Sequence, residues 1–230
     1  GKMPDGSRVL ALAASGGYCQ KTLVNPKTVI PLPDKVSDGQ ALAMMVQGST
    51  AHMILKKMGH IKAGESVVIH AGAGGVGSIA IQLAKLWGAF VIAVTSSDEK
   101  KKLCMELGAD VVVDAAEANL ADAQIKANNG KGVDLILEMV GGSTFDQSLD
   151  ALAAFGRIVT YGMASRKAPK TLHPAALMPK SQSVIGFWLV NALADKELMA
   201  EVFMDLFGMI ISGKLKPVIG STYPLSKAAD

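Results

Sequence analysis

The sequence predicts an α/β chain built on a doubly wound parallel sheet, and three observations carry that prediction. From residue 66 onward, short β-prone runs alternate with helical patterns. These runs (Val67-Val68-Ile69, Val91-Ile92-Ala93-Val94, Val111-Val112-Val113, Leu135-Ile136-Leu137) are apolar throughout, as strands covered by helices on both faces must be. The first run opens directly into a glycine cluster that starts a helix. Outside this region, both ends of the chain carry a different, β-like texture, so parts of a second, β-rich domain flank the first.

Taken in order, residues 1 to 35 hold β runs at 8–12, 20–24 and 28–30, broken by Gly16-Gly17, Asn25-Pro26 and Leu32-Pro33-Asp34. Helices are expected at 38–47 and 49–58, the first capped by Asp38 or by Ser37. Then come strand 66–70, helix 75–87, strand 90–95, helix 97–107, strand 111–113, helix 117–128, strand 133–138, helix 144–154 and strand 156–161. A sixth strand at 184–190 follows a Pro-containing loop. A helix at 196–212 ends at Gly213, and 214–230 turns extended again. The expected domains are 1–46, 47–190 and 191–230, the last returning to the first.

The run Ser66-Val67-Val68-Ile69-His70-Ala71-Gly72-Ala73-Gly74-Gly75-Val76-Gly77 is how a strand–turn–helix unit holding a dinucleotide pyrophosphate is written. Gly72 suits the tight turn. Gly74 and Gly75 leave bare backbone for a phosphate, and Gly77 lets the helix pack close to the strand. With Val76, they place unpaired N–H groups and a partial positive charge at a helix N-terminus.

Composition excludes several classes. Net charge is +3, from 23 basic and 20 acidic residues spread along the chain, with no basic block of the kind nucleic acid attracts. No apolar run reaches the ~18 residues of a membrane span. Two separated cysteines, Cys19 and Cys104, fit a reducing compartment, so a cytoplasmic protein is expected. His52, His60, His70 and His173 show no metal-ligand spacing.

Dinucleotide choice is read at the end of the second strand. An NAD-preferring site places a carboxylate there for the ribose 2′-hydroxyl, whereas this strand ends Val94-Thr95-Ser96-Ser97. Asp98 and Glu99 read as first-turn helix residues, with Ser96 and Glu99 at capping-box spacing. Val140-Gly141 and Gly162-Met163 end the fourth and fifth strands, on the sheet edge where ligands bind.

Gly74-Gly75-Val76-Gly77 with Gln82-Leu83-Ala84-Lys85, Glu106-Leu107-Gly108-Ala109-Asp110, Gly132-Val133-Asp134, Val140-Gly141-Gly142 and Phe155-Gly156-Arg157-Ile158-Val159 form a series. In this order it resembles the medium-chain dehydrogenase/reductase superfamily, most closely its zinc-free quinone oxidoreductase (ζ-crystallin-like) branch. Ser15-Gly16-Gly17-Tyr18 and Lys216-Pro217-Val218-Ile219-Gly220 extend the resemblance to nearly the whole chain. The resemblance implies a Rossmann domain between parts of a GroES-like β domain, with the family's N-terminal part and a short C-terminal stretch lying outside this chain. It implies no metal, because Val46 stands where zinc-bearing relatives carry a cysteine. It implies that Ser96, Ser97 and Lys100 contact the 2′-phosphate of NADPH, a fit for hydroxyls and an ammonium, although Ala115 fills a place where NADPH-binding relatives often carry Tyr. It places Thr50, Phe187 and Trp188 near the nicotinamide, with only one of the two aromatics facing the pocket if they alternate on a strand.

The implied reaction is hydride transfer from NADPH to a quinone or α,β-unsaturated carbonyl, by a homodimer joined through the strand near 184–190. The same motifs leave two alternatives open: an enoyl-thioester reductase, or a low-turnover NADPH-binding module. No catalytic acid is identified within the chain.

Overall fold

The computed structural model of the protein describes residues 1–13, 16–26 and 29–229. Ser15 of the family series, Thr28 of the third β run and the terminal Asp230 lie outside the described residues.

The framework is a six-stranded sheet. Its strands are β3 (Ser66–His70), β4 (Phe90–Thr95), β5 (Val111–Asp114), β6 (Val133–Glu138), β7 (Leu152–Thr160) and β8 (Ser183–Gly186). They lie in the order β5-β4-β3-β6-β7-β8, and every pairing is parallel. The order reverses between β3 and β6, the switch point at which open α/β sheets take ligands.

The pleat divides the core into two layers. Val67 and Ile69 of β3 point into one cluster with Ile79, Ile81 and Leu83. Val68, between them, points into another with Leu120 and Phe145. Adjacent strand residues must take opposite faces, so each strand serves two apolar layers and reads as apolar throughout. One layer is covered by α3 (Gly75–Leu86) and α8 (Lys196–Ile211), the other by α5 (Leu120–Ala127) and α6 (Gly142–Asp150).

The helices expected at 38–47 and 49–58 are one helical stretch over 38–58. It comprises α1 (Asp38–Ala43), a π-helical segment (Met44–Gly48), α2 (Ser49–His52) and a second π-helical segment (Met53–Met58). Ser37 caps it in a full capping box with Gln40. Gly48 does not break the helix, because it serves packing. A Cβ there would lie 2.6 Å from the Met44 sulfur and 3.4 Å from Leu206 Cδ1.

Two further boundaries differ from expectation. Residues 152–154, read as the end of a helix, belong to β7, where Val133 pairs with Leu152 and Leu135 with Arg157. The resulting bulge holds Phe155 at φ 59°, and the ladder overrides the helix preference of the alanines. The strand expected over 184–190 ends at Gly186. Phe187 adds one N–H bond to Thr160 O at 2.9 Å, Trp188 caps α7 (Leu189–Leu193), and Leu189 and Val190 are helical.

At the N-terminal end β1 (Val9–Leu10) and β2 (Ile30–Pro31) pair antiparallel, Lys2 and Arg8 form an isolated antiparallel bridge, and residues 20–24 form no strand. Beyond Gly213, at φ 72°, the described residues hold one short 3₁₀ turn, Leu225–Lys227. Among the described residues no helix is long and apolar enough to cross a membrane.

Candidate cofactor site

The glycine run forms the turn from β3 into α3. Its left-handed residue is Ala71, at φ 52°, and not Gly72. Gly72 is instead required by packing, because a Cβ there would lie 2.9 Å from Ala93 Cβ and 3.1 Å from Cys104 Sγ. Gly77 is buried where a Cβ would strike the Ala71 carbonyl oxygen and stand 2.8 Å from Gly72 Cα. Gly74 and Gly75 are exposed and Val76 is partly so. Gln47, on the 38–58 stretch, closes over Gly75, its Cγ 2.8 Å from where a Cβ would sit.

Gly74 is the N-cap of α3, and no side chain caps it. The first intrahelical bond is Ser78 N–H to Gly74 O, at 2.8 Å. The N–H groups of Gly75, Val76 and Gly77 therefore precede the helix's own ladder. Bare backbone, aligned donors and the positive end of a helix fit a pyrophosphate.

Beside this turn lies a cavity of about 330 Å³. Ala73 and Gly74 form one side, and Ser96 and Lys100 another. Val140 and Thr144 approach from β6 and α6, and Ala115 and Leu120 close the end beyond β5. The structure thus brings together Gly74, Ser96, Lys100 and Val140 from three separate motifs.

Ser97, not Ser96, caps α4 (Asp98–Glu106): its side chain accepts from Lys100 N–H at 3.4 Å. The capping-box pairing of Ser96 with Glu99 does not form, which leaves Ser96 to the cavity. Lys101 is drawn away to Asp98 at 3.2 Å and Asp114 at 2.8 Å, while Lys100 lines the cavity. Asp98 and Glu99 are exposed in the first turn of α4, and no carboxylate ends β4.

The remaining expected residues lie outside that cavity's lining. Gly141 and Met163 meet each other: a Cβ on Gly141 would lie 2.8 Å from Met163 Cγ. Gly162 packs on Met139, with 3.2 Å from its would-be Cβ to Met139 Cβ. Thr50 is buried on α2, three residues beyond Gln47. Phe187 packs against the larger core cluster, whereas Trp188 is 65% exposed.

Sequence reasoning did not single out Thr144, Leu120 or His70 as site residues. Thr144 carries a readable signal, two residues after the Gly141-Gly142 strand end. Leu120 has none, since it reads as core. His70 forms part of the cavity floor. Its Nε2 lies 2.9 Å from Ser148 Oγ and 3.3 Å from the Gln124 side-chain nitrogen.

Burial pushes the His70 pKa from 6.5 down to about 4. The folded chain therefore keeps the imidazole neutral while the unfolded chain protonates it first. Stability is expected to fall as pH drops from about 6.5 to about 4, by about 3 kcal/mol for this group. Urea unfolding across that range should show the slope in the parent and a flatter line in His70→Gln; identical slopes would discard the assignment.

Two of the other histidines have structural partners. His52 Nε2 lies 3.2 Å from Asp205 Oδ2, and its ring meets Trp87 edge-on at 5.5 Å. His173 Nδ1 accepts from Ala175 N–H at 3.2 Å. Among the described residues no three His, Cys, Asp or Glu side chains group to hold a metal ion. Val46 is 46% exposed, in the first π-helical segment of the 38–58 stretch.

A parallel sheet whose glycine turn faces a cavity at its switch point, with Ser96 and Lys100 on one side, defines a dinucleotide-binding domain of the oxidoreductase type. Comparison with known proteins is specific. The zinc-binding dehydrogenase family matches residues 75–207. Mouse (Mus musculus) quinone oxidoreductase is 37% identical over 228 residues, spanning 97% of this chain and 67% of the relative. A solved quinone oxidoreductase from Thermus thermophilus, described with its NADPH complex, superposes with a TM-score of 0.85 at 32% identity, covering 99% of this chain and 72% of that one. The Escherichia coli quinone oxidoreductase complexed with NADPH gives 0.85 at 31%, covering 94% and 66%. The chain belongs to the medium-chain dehydrogenase/reductase superfamily, in its quinone oxidoreductase-like group.

Proposed function

We propose that this protein transfers a hydride from NADPH to a quinone or an α,β-unsaturated carbonyl without zinc. The observation that carries the cofactor choice is the cavity at the end of β4, which offers Ser96 and Lys100 and no carboxylate. A hydroxyl and an ammonium suit a dianionic 2′-phosphate, whereas a free 2′-hydroxyl calls for a carboxylate acceptor. The solved relatives described with NADPH support the same choice, and Val46 in the place of a zinc cysteine supports a metal-free reaction.

In this reading Gly74, Gly75, Val76 and Gly77 bind the pyrophosphate through backbone N–H groups. Gly72 keeps the turn packed closely against Ala93 and Cys104, and Ser96, Ser97 and Lys100 take the 2′-phosphate. Val140, Gly141, Gly162 and Met163 form the crest of the sheet toward the nicotinamide half, with Thr50 and Phe187 or Trp188 behind it. The reduced nicotinamide supplies the hydride, and the chain binds it, orients it and excludes water. The division at 1–46, 47–190 and 191–230 assigns the cofactor to the middle segment. A homodimer through β8 is part of the proposal, supported by its place at the sheet edge beside the exposed Trp188 and Val190. A cytoplasmic location follows from cysteine usage alone.

Lys100→Ala tests the assignment. NADPH affinity is expected to fall roughly tenfold or more, while NADH affinity stays within about twofold. Calorimetric titration of both dinucleotides reads this, and equal losses would remove Lys100 from the 2′-phosphate. Oxidation of NADPH with 9,10-phenanthrenequinone tests the reaction itself. Turnover of crotonyl-CoA without quinone activity would mark an enoyl-thioester reductase, and binding without turnover a nucleotide-binding module.

A further inference from the structure

Glu138 ends β6 with no exposed surface at all. A carboxylate is costly in that position unless its oxygens are engaged, and an apolar residue would complete the strand more simply. Its Oε1 accepts two backbone N–H groups, from Val140 at 2.6 Å and Gly141 at 2.8 Å. Its Oε2 is buried without a partner among the described residues.

The turn that Glu138 holds is unusual. Gly141 sits at φ 76°, ψ −168°, a conformation essentially reserved for glycine, and Gly142 follows at φ 55°. The next strand end is fastened to the same turn. Ala164 N–H donates to Met139 O, and Ser165 N–H to Val140 O, both at 2.9 Å. Met163 thereby rests against Gly141. One carboxylate thus fixes two adjacent strand ends.

We infer that Glu138 is a positioning residue, whose carboxylate holds the 140–142 turn, and through it Met163, in the geometry that receives the nicotinamide half of the dinucleotide. Resting on the NADPH reading above, it adds a residue that touches no ligand. Burial raises the Glu138 pKa, and burial together with the nearby Glu138 carboxylate raises that of Tyr161.

The test compares two ligands by calorimetry, NADPH and 2′,5′-ADP, which lacks the nicotinamide half. Glu138→Ala is expected to weaken NADPH about tenfold or more, since it leaves the Val140 and Gly141 N–H groups without their acceptor, and to leave 2′,5′-ADP within about threefold. Glu138→Gln keeps the accepting Oε1 and should restore NADPH affinity to within about threefold of the parent. If Glu138→Ala does not fold by circular dichroism, Glu138→Asp, which withdraws the oxygens by one methylene, carries the same expectations. Equal weakening of both ligands, or Glu138→Gln as damaged as Glu138→Ala, would show mere structural support and overturn the inference. A parent that fails to bind NADPH would overturn the cofactor reading and this inference together, whereas parent-like NADPH binding by Glu138→Ala would overturn this inference alone.

Discussion

Gly77→Ala is expected to cost about 3 kcal/mol of stability or more and to abolish dinucleotide binding. The added methyl would strike the Ala71 carbonyl oxygen and stand 2.8 Å from Gly72 Cα and Gly72 O. All three contacts are backbone, so no side chain can swing away. Relief requires α3 to withdraw from β3, and α3 contributes Ile79, Ile81 and Leu83 to the core. The same withdrawal moves the N–H groups of Gly75 to Gly77 away from any pyrophosphate. Gly186→Ala is the matched control: a Cβ there meets nothing within 4 Å, and its effect should stay within about 0.5 kcal/mol. Urea unfolding by circular dichroism compares the two, and parent-like stability in Gly77→Ala would refute the packing account.

Arg157→Ala is expected to cost about 3 kcal/mol, close to the loss on breaking a buried ion pair. The Arg157 side chain is only 13% exposed, and Glu65 opposite is 24% exposed. Two guanidinium nitrogens reach Glu65 at 3.0 and 2.6 Å. The remaining N–H groups go to the carbonyls of Gly59 at 2.6 Å, Asp134 at 3.1 Å and His60 at 3.2 Å. Truncation leaves Glu65 facing a partly dry cavity and removes the tie between β7 and the end of the 38–58 stretch. Lysine cannot reproduce the fork, so Arg157→Lys should recover less than half of the loss. A midpoint within error of the parent for Arg157→Ala would contradict this.

The sheet was legible because burial on both faces leaves no latitude in composition: 66–70, 90–95 and 133–138 run where their apolar residues run. Errors arose where local preference and tertiary pairing conflict. Leu152-Ala153-Ala154 has helix-forming composition, and only the ladder that begins against Val133 makes it strand. Leu189 and Val190 are β-prone residues that α7 takes up. That Gly74, Ser96 and Lys100 line one cavity was readable because they follow their strands closely in sequence. Leu120 and Thr144 enter from α5 and α6 only once the sheet has reversed, and His70 and Glu138 read as ordinary strand residues until burial and partners are known. The Ser96–Glu99 spacing misled because Ser97, one residue on, has the extended backbone of a cap, at φ −147°.

Gln82 lies buried on α3 and reaches the C-terminal arm. Its amide nitrogen donates to Lys216 O at 3.1 Å, and its amide oxygen accepts from Lys216 N–H at 2.9 Å. A side chain here plays the part of a neighbouring strand, engaging both polar groups of one peptide residue. The arm beyond Gly213 has almost no regular structure from which to take an alignment. It is addressed from elsewhere: one glutamine, seven residues beyond the last bare-backbone glycine of the turn, Gly75, writes the starting coordinate for the far end of the chain.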